Sequence, residues 1–395
     1  MKKIIHFLFV LACLLIIFSV GIFTFLEPDR ETSTVENRSL AQRPDITKQS
    51  ILSGQFFRDF ETYFSDQLYG RDKLILAYTK EQLFLNKTII NNIVVTNDNW
   101  LLYTPSTTKM DKEIDYSLAN LKALADPIQA SGVEVFFAAA PYKMNMLEDI
   151  YPTYINEQIG VENRNYFMNH LPNTIQGIDL YQSFKESYSQ SQLKTMYFKT
   201  DHHWNIEGAF AGYQKIIQEM NDKSKLFKGK PVQKENLTLV CNNESSFVGS
   251  LNLRLYSIID TSEEKICYYN PVFNSKEGKV TAKQMTGETL TSINDIYATG
   301  LERDKVFYGH LFTWDLPEIN FEYQNTGNDL HLLVLKDSYG NPIQPFIAQH
   351  FNKTSILDIR HYSEKTVSQY IIDNKIDIVL FVYNDSNLTG QMFEF

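Results

Sequence analysis

Residues 329–342 read DLHLLVLKDSYGNP. From Leu330 to Leu335 the run is apolar but for His331, with no regular polar alternation, and Lys336, Asp337, Ser338 and a Gly-Asn-Pro turn close it. A short apolar run between turn signals reads as a strand covered on both faces. Three further stretches share this pattern: VEVFFAAAP at 133–141, TSILDIR at 354–360 and IDIVLFVYN at 376–384. Between the last two, SEKTVSQYIIDNK at 363–375 has helical spacing, with Ser363 as its expected cap. Leu118, Leu121, Leu124 and Ala125 mark another helix within 116–130, ended by Gly132. Continuous apolar strands joined by helices predict an α/β domain around a central, mostly parallel sheet.

Working outward, the pattern changes between about 222 and 328. Short β-like runs separated by turn residues predict a β-rich insertion within the α/β domain. Upstream, Phe57, Phe60, Phe64 and Leu68 fall on one helical face. Residues 27–50, EPDRETSTVENRSLAQRPDITKQS, are polar and read as a stalk. Before them, Lys2 and Lys3 precede an apolar run from Ile4 to Leu26. Its length suits a membrane span and exceeds the apolar core of a cleaved signal, about 7–15 residues. The preceding positive charge predicts a cytoplasmic start and an exported remainder. The organisation expected is an anchor at 1–26, a stalk at 27–50, and an α/β domain at 51–395.

The whole-chain composition narrows the function. A net charge of −10 disfavours nucleic acid as a partner, because neutralising phosphates needs a basic surface. Of three cysteines, Cys13 lies in the apolar run, which leaves Cys241 and Cys267 for the exported part. Neither belongs to a Cys-x-x-Cys pair, which disfavours a metal site there.

A second motif carries candidate chemistry. KTDHHWN at 199–205 precedes an apolar helical stripe of Ile206, Ala209, Phe210, Tyr213, Ile216 and Ile217. Asn205 is a natural cap for that helix. Asp201, His202 and His203 therefore lie on the loop before it. In extended backbone, residues two apart share a side, so Asp201 and His203 are expected to face together while His202 points away. A carboxylate beside an imidazole fixes its tautomer and raises its basicity. A metal site would need further well-placed ligands, and the remaining histidines are scattered. A polar loop that only caps the helix is the third reading. The group to be activated is Ser338, at the carboxyl end of a buried strand, where α/β sheets bind ligands. Gly340 and Asn341 follow as possible oxyanion donors.

TDHHW and KDSYGNP together resemble the DHHW proteins, which are similar to the SGNH-hydrolase-like O-acetyltransferases of exopolysaccharides such as alginate. Weaker matches are ENRSLAQRP, FFAAAPYKMN, FVGSLN and LDIRHY. The resemblance implies a three-layer SGNH-like α/β fold and a triad of Ser338, His203 and Asp201. Trp204 falls on the motif's tryptophan. His202 occupies a position that is variable in the alginate enzymes, so the choice between the two histidines stays open. Lys143, Arg360 and Tyr383 follow or end other strands and are further candidates for binding sugar or oxyanion. The activity implied is an anchored, extracytoplasmic O-acetyltransferase acting on a polysaccharide hydroxyl, without a cofactor. The resemblance also implies a membrane-bound partner that supplies acetyl groups. An esterase with the same triad and a non-catalytic polysaccharide-binding protein are the alternatives.

Overall fold

The computed structural model describes residues 2–33, 36, 38–155, 159–270, 278–324 and 326–395. The chain forms two compact units: Met1–Asn91 with Asn252–Ile259, and Asn92–Leu251 with Asp260–Phe395.

The first unit contains helices α1 (Lys2–Leu26), α2 (Gln55–Gln67) and α3 (Arg71–Phe84). Helix α1 has 25 residues and is long and apolar enough to cross a membrane. The described residues of 27–50 do not form a free stalk. Arg38 pairs with Asp66 at 2.6 Å, Arg30 with Asp72 at 2.7 Å, and Gln67 bonds the backbone of Arg30 and Ala41. These bonds strap the segment to α2 and α3, so the unit runs past the expected boundary at residue 50. They also decide which face of α2 is buried. Tyr63, Asp66 and Gln67 lie inside, whereas Phe57 of the expected apolar stripe is exposed. Residues 34, 35 and 37 of the expected stalk lie outside the described residues, as do 271–277 and 325 of the expected insertion.

The second unit is built on an eight-stranded sheet. Its strands in chain order are β1 (Glu134–Ala140), β2 (Gln176–Asp179), β3 (Gly278–Lys283), β4 (Thr289–Leu290), β5 (Glu318–Tyr323), β6 (His331–Lys336), β7 (Lys353–Leu357) and β8 (Ile378–Asn384). Their order across the sheet is β4-β3-β5-β7-β6-β8-β1-β2. The five strands from β7 to β2 run parallel. The other three add antiparallel. The stretch expected as an insertion therefore supplies β3, β4 and β5 to the edge of the main sheet, where Val280, Ala282, Ile319 and Phe321 extend one of its cores.

Alternate residues of β6 serve opposite faces. Leu332 and Val334 join the core formed with α5 (Ile206–Lys223). Leu333 and Leu335 join the core formed with α4 (Asp111–Ala130) and α6 (Val367–Asn374). This is a three-layer helix–sheet–helix arrangement. Helix α6 is capped by Thr366, whose side chain accepts from Gln369 N, and not by Ser363, which lies outside the helix. Cys241 and Cys267 face each other across an antiparallel pair of short strands and form a disulfide.

Candidate active site

Strand β6 ends at Lys336, and the next residues turn sharply. Buried Asp337 accepts Tyr339 N at 2.9 Å, and Asn384 N and Nδ2 at 2.8 Å each. Burial pushes its carboxyl pKa up, and these bonds only partly oppose the push. Gly340 allows the chain to pass close to Lys336, since a Cβ there would stand 2.8 Å from Lys336 Cβ. The result places Ser338 first in a short 3-10 turn, half-buried at the carboxyl end of a central strand.

The loop before α5 meets this turn. Asn205 caps α5 by accepting Glu207 N and Gly208 N. Trp204 donates its indole N–H to Tyr339 O at 3.1 Å, and Tyr339 donates its hydroxyl to His202 O at 2.6 Å. The two segments are thus tied in both directions. His203 Nε2 lies 2.7 Å from Ser338 Oγ, and its Nδ1 lies 2.7 Å from Asp201 Oδ1. Asp201 Oδ1 also accepts His203 N, and Oδ2 accepts Ser250 N at 2.7 Å. Burial alone would raise the Asp201 pKa. The neighbouring His203, then His202 and the Ser250 N–H, hold it well below the carboxylate range. The acid therefore stays ionised and fixes the proton of His203 on Nδ1, leaving Nε2 to accept from serine.

A serine hydroxyl, an imidazole and a carboxylate thus form one hydrogen-bonded chain, the geometry that a nucleophile, a base and an orienting acid require. It suits acyl transfer. Asp201, His202 and His203 also bring three potential metal-ligand atoms within 4.8 Å of one another. Both nitrogens of His203 and both oxygens of Asp201 are already engaged, which favours the triad over an ion.

Comparison with known proteins identifies the family. A family model described as an SGNH hydrolase-like domain, acetyltransferase AlgX, matches residues 93–259. The structure of Bacillus cereus PatB1 is 42% identical, with a TM-score of 0.72, and the match covers 78% of this chain and 99% of that one. The chain belongs to the SGNH hydrolase-like acetyltransferase family. One PatB1 structure carries a sulfonyl adduct. A DHHW family protein from Eubacterium siraeum shares the fold at 21% identity and a TM-score of 0.59, over 77% of this chain and 94% of that one. No curated protein matches.

Other expected residues of this acyltransferase take different places. His202 does not point away: its ring lies 3.8 Å from that of His203, and its Nδ1 is 2.6 Å from Ser250 Oγ and 3.5 Å from Asp201. The loop is compact, so the alternation of extended backbone does not apply. Trp204 is wholly buried and offers no surface to a ligand, so its place is to position the loop. Lys143 does not face the cleft. Its buried ammonium donates to the carbonyls of Leu101, Lys199 and Asp201, bracing the acid's loop from behind. Burial lowers its pKa, with Glu264 and Asp201 opposing.

Asn341 is buried, and its amide donates to Thr313 O and Asp315 Oδ1, which removes it as a side-chain oxyanion donor. Tyr383 is buried in the core under α4 and α6. Arg360 pairs with Asp358 at 2.5 Å and Asp315 at 3.0 Å, in a cluster with buried Lys336. That leaves Arg360 as part of the sheet's carboxyl-edge framework.

The sequence reading missed two contributors. Ser250, within FVGSLN, holds both Asp201 and His202. Tyr308 stacks on His203 and donates to Ser338 O. The FVGSLN match was the available signal for Ser250. Nothing in the pattern around Tyr308 marked it.

Proposed function

We propose that this acyltransferase is a membrane-anchored, extracytoplasmic O-acetyltransferase that modifies hydroxyls of a cell-wall or extracellular polysaccharide. The observation carrying the proposal is the unbroken Asp201–His203–Ser338 hydrogen-bond chain, 2.7 Å at each link. Ser338 Oγ attacks the acetyl carbonyl while its proton passes to His203 Nε2. The tetrahedral intermediate collapses, the donor's oxygen leaves with that proton, and Ser338 is left acetylated. A polysaccharide hydroxyl then gives its proton to His203 and attacks the acyl-serine, and Ser338 recovers the proton as the ester leaves. The sulfonyl adduct of PatB1 fits a site with a reactive nucleophile. Helix α1 supports the anchor, and the Cys241–Cys267 disulfide suits an oxidising exterior. A membrane partner that supplies acetyl groups remains part of this proposal through the family likeness.

The test is incubation of full-length protein with a chromogenic acetyl ester, with and without oligosaccharide. Intact mass spectrometry should show an acetyl group on Ser338 and then on the sugar, and Ser338→Ala should abolish both. Release of acetate to water with no acetylated sugar would make the protein an esterase. No acetylation of Ser338 at all would exclude the mechanism.

A further inference from the structure

The first unit is built inside out. A helical hairpin in water buries its apolar faces and shows its charges. Here the contacts that join α2 and α3 to Arg30, Glu36, Arg38 and Ala41 are ion pairs and amide bonds. Large apolar side chains stand outside instead. Phe57 is 62% exposed, Leu74 58%, Tyr78 54%, Phe84 86% and Leu85 63%. Phe56, Phe60 and Phe64, four residues apart on α2, stack into a half-exposed aromatic row beside Phe57. Leu74 and Tyr78 of α3, and Leu85 just past it, fall on one stripe at spacings of four and seven. Apolar side chains turned outward on two successive helices mark a surface that meets something other than water.

What it meets follows from α1. The aromatic row of α2 joins the last turn of α1. The Phe64 ring lies 6.1 Å from that of Phe25, the Tyr69 ring lies 5.2 Å from that of Phe23, and Tyr69 N donates to Thr24 Oγ1 at 3.0 Å. At about 1.5 Å per residue, the 25 residues of α1 span about 38 Å, more than a hydrocarbon core of about 30 Å. The last turn of α1 therefore stands at the headgroup boundary, a level that suits Phe, Tyr and Leu side chains. Lys73 and Lys80 flank the α3 stripe, and exposed Glu81 falls within it. Those charges fit a helix that lies in the interface and not one sunk in hydrocarbon. The continuity with α1 favours lipid over a protein partner. We propose that α2 and α3 lie on the outer leaflet of the membrane that α1 crosses, with Phe57, Tyr78, Phe84 and Leu85 in the headgroup–acyl boundary. The proposal rests on the anchored reading of α1 above. It adds a second, surface contact that holds the first unit against the bilayer.

The experiment separates the surface contact from the anchor. Full-length protein is reconstituted into vesicles of phosphatidylcholine and phosphatidylglycerol, with the fluorophore NBD on single cysteines. Cys13 is free in the wild type and reports α1. In a Cys13→Ala background, Phe57→Cys and Leu85→Cys report the proposed face. Thr62→Cys is the control, because Thr62 is exposed and lies two residues from Phe60 and from Phe64, about 200° around the helix. Lipids carrying a nitroxide near the headgroup should quench the labels at 57 and 85 at least about threefold more than the label at 62. Lipids carrying it deep in the acyl chain should quench the label on Cys13. The far-UV circular dichroism should stay at wild type, since the replaced side chains are exposed. Quenching at 57 and 85 without quenching at Cys13 would remove the anchor and leave the surface contact standing. Quenching at Cys13 with none at 57 and 85, or equal quenching at 57, 62 and 85, would overturn the contact. Blue-shifted emission at 57 and 85 that lipid nitroxides do not quench would mean that protein covers the face, which also overturns it.

Discussion

Tyr308 lies flat on His203, with ring centroids 3.8 Å apart and planes 5° apart, and its hydroxyl donates to Ser338 O at 3.1 Å. One buried residue thus fixes the plane of the His203 ring and the backbone of Ser338. The aromatic face also favours the imidazolium that forms during acyl transfer. Tyr308→Phe keeps the stack and should lower kcat for ester hydrolysis only several-fold. Tyr308→Leu loses both contacts and should lower it by about a hundredfold, the scale expected when a catalytic group shifts by about 1 Å. Equal rates in both variants would show that the stack does not matter.

Gly249 is required by a close approach of two backbones. A Cβ at this position would stand 2.5 Å from Asp201 N and nearer still to the Thr200 carbonyl. Neither neighbour is a flexible side chain that can yield. Gly249→Ala must therefore move the acid's loop or the Ser250 N–H that Asp201 accepts. Ester hydrolysis should fall by about tenfold to a hundredfold while the far-UV circular dichroism stays close to wild type. Val248→Ala, one residue earlier and pointing into the core, should lower stability by about 1–2 kcal/mol with little change in kcat. An active Gly249→Ala protein would show that the loop is more yielding than this geometry implies.

The parts of the site legible in the sequence are those set by local rules. Ser338 was placed by an apolar run and the turn after it. Asp201 and His203 were placed by the cap of the helix that follows them. The sheet's parallel half was legible because each strand reads as a continuous apolar run. The antiparallel half was not: β3 and β5 alternate in burial, and that pattern does not say which sheet they join. Lys143 was misplaced because a long side chain reaches through the core to three carbonyls, and no spacing rule reports where it ends. Tyr308 reaches His203 only through tertiary packing across more than a hundred residues of chain.

The Cys241–Cys267 disulfide spans a sequence separation of 26 and lies in a small strand pair outside the main sheet. Closing a loop of that length should stabilise the fold by about 3 kcal/mol, chiefly through the unfolded chain. The double variant Cys241→Ser, Cys267→Ser should lose about that much in urea unfolding and keep its ester hydrolysis at 25 °C. An equal loss of activity at full occupancy of the folded state would instead tie the strand pair to the site.

His350 gives the fold a pH dependence with a definite sign. Tyr213 Oη accepts Val232 N at 2.9 Å, so its own proton is free to go to His350 Nε2, 2.7 Å away. That bond needs a neutral imidazole with Nε2 unprotonated. Burial lowers the His350 pKa from 6.5 to about 4. Between these values the unfolded chain binds a proton that the folded chain does not, so stability falls as pH falls through this window. Above about 6.5 the group contributes no slope, and below about 4 the loss is complete. At about 1.4 kcal/mol per pKa unit, the gap bounds the loss at about 3 kcal/mol. Gln at this position can still accept from Tyr213 but does not titrate. Urea unfolding of wild type and His350→Gln at pH 7 and pH 4.5 should therefore show a smaller pH-dependent loss in the variant, by about 2 kcal/mol. Identical losses in the two proteins would mean that His350 is not held neutral by the fold.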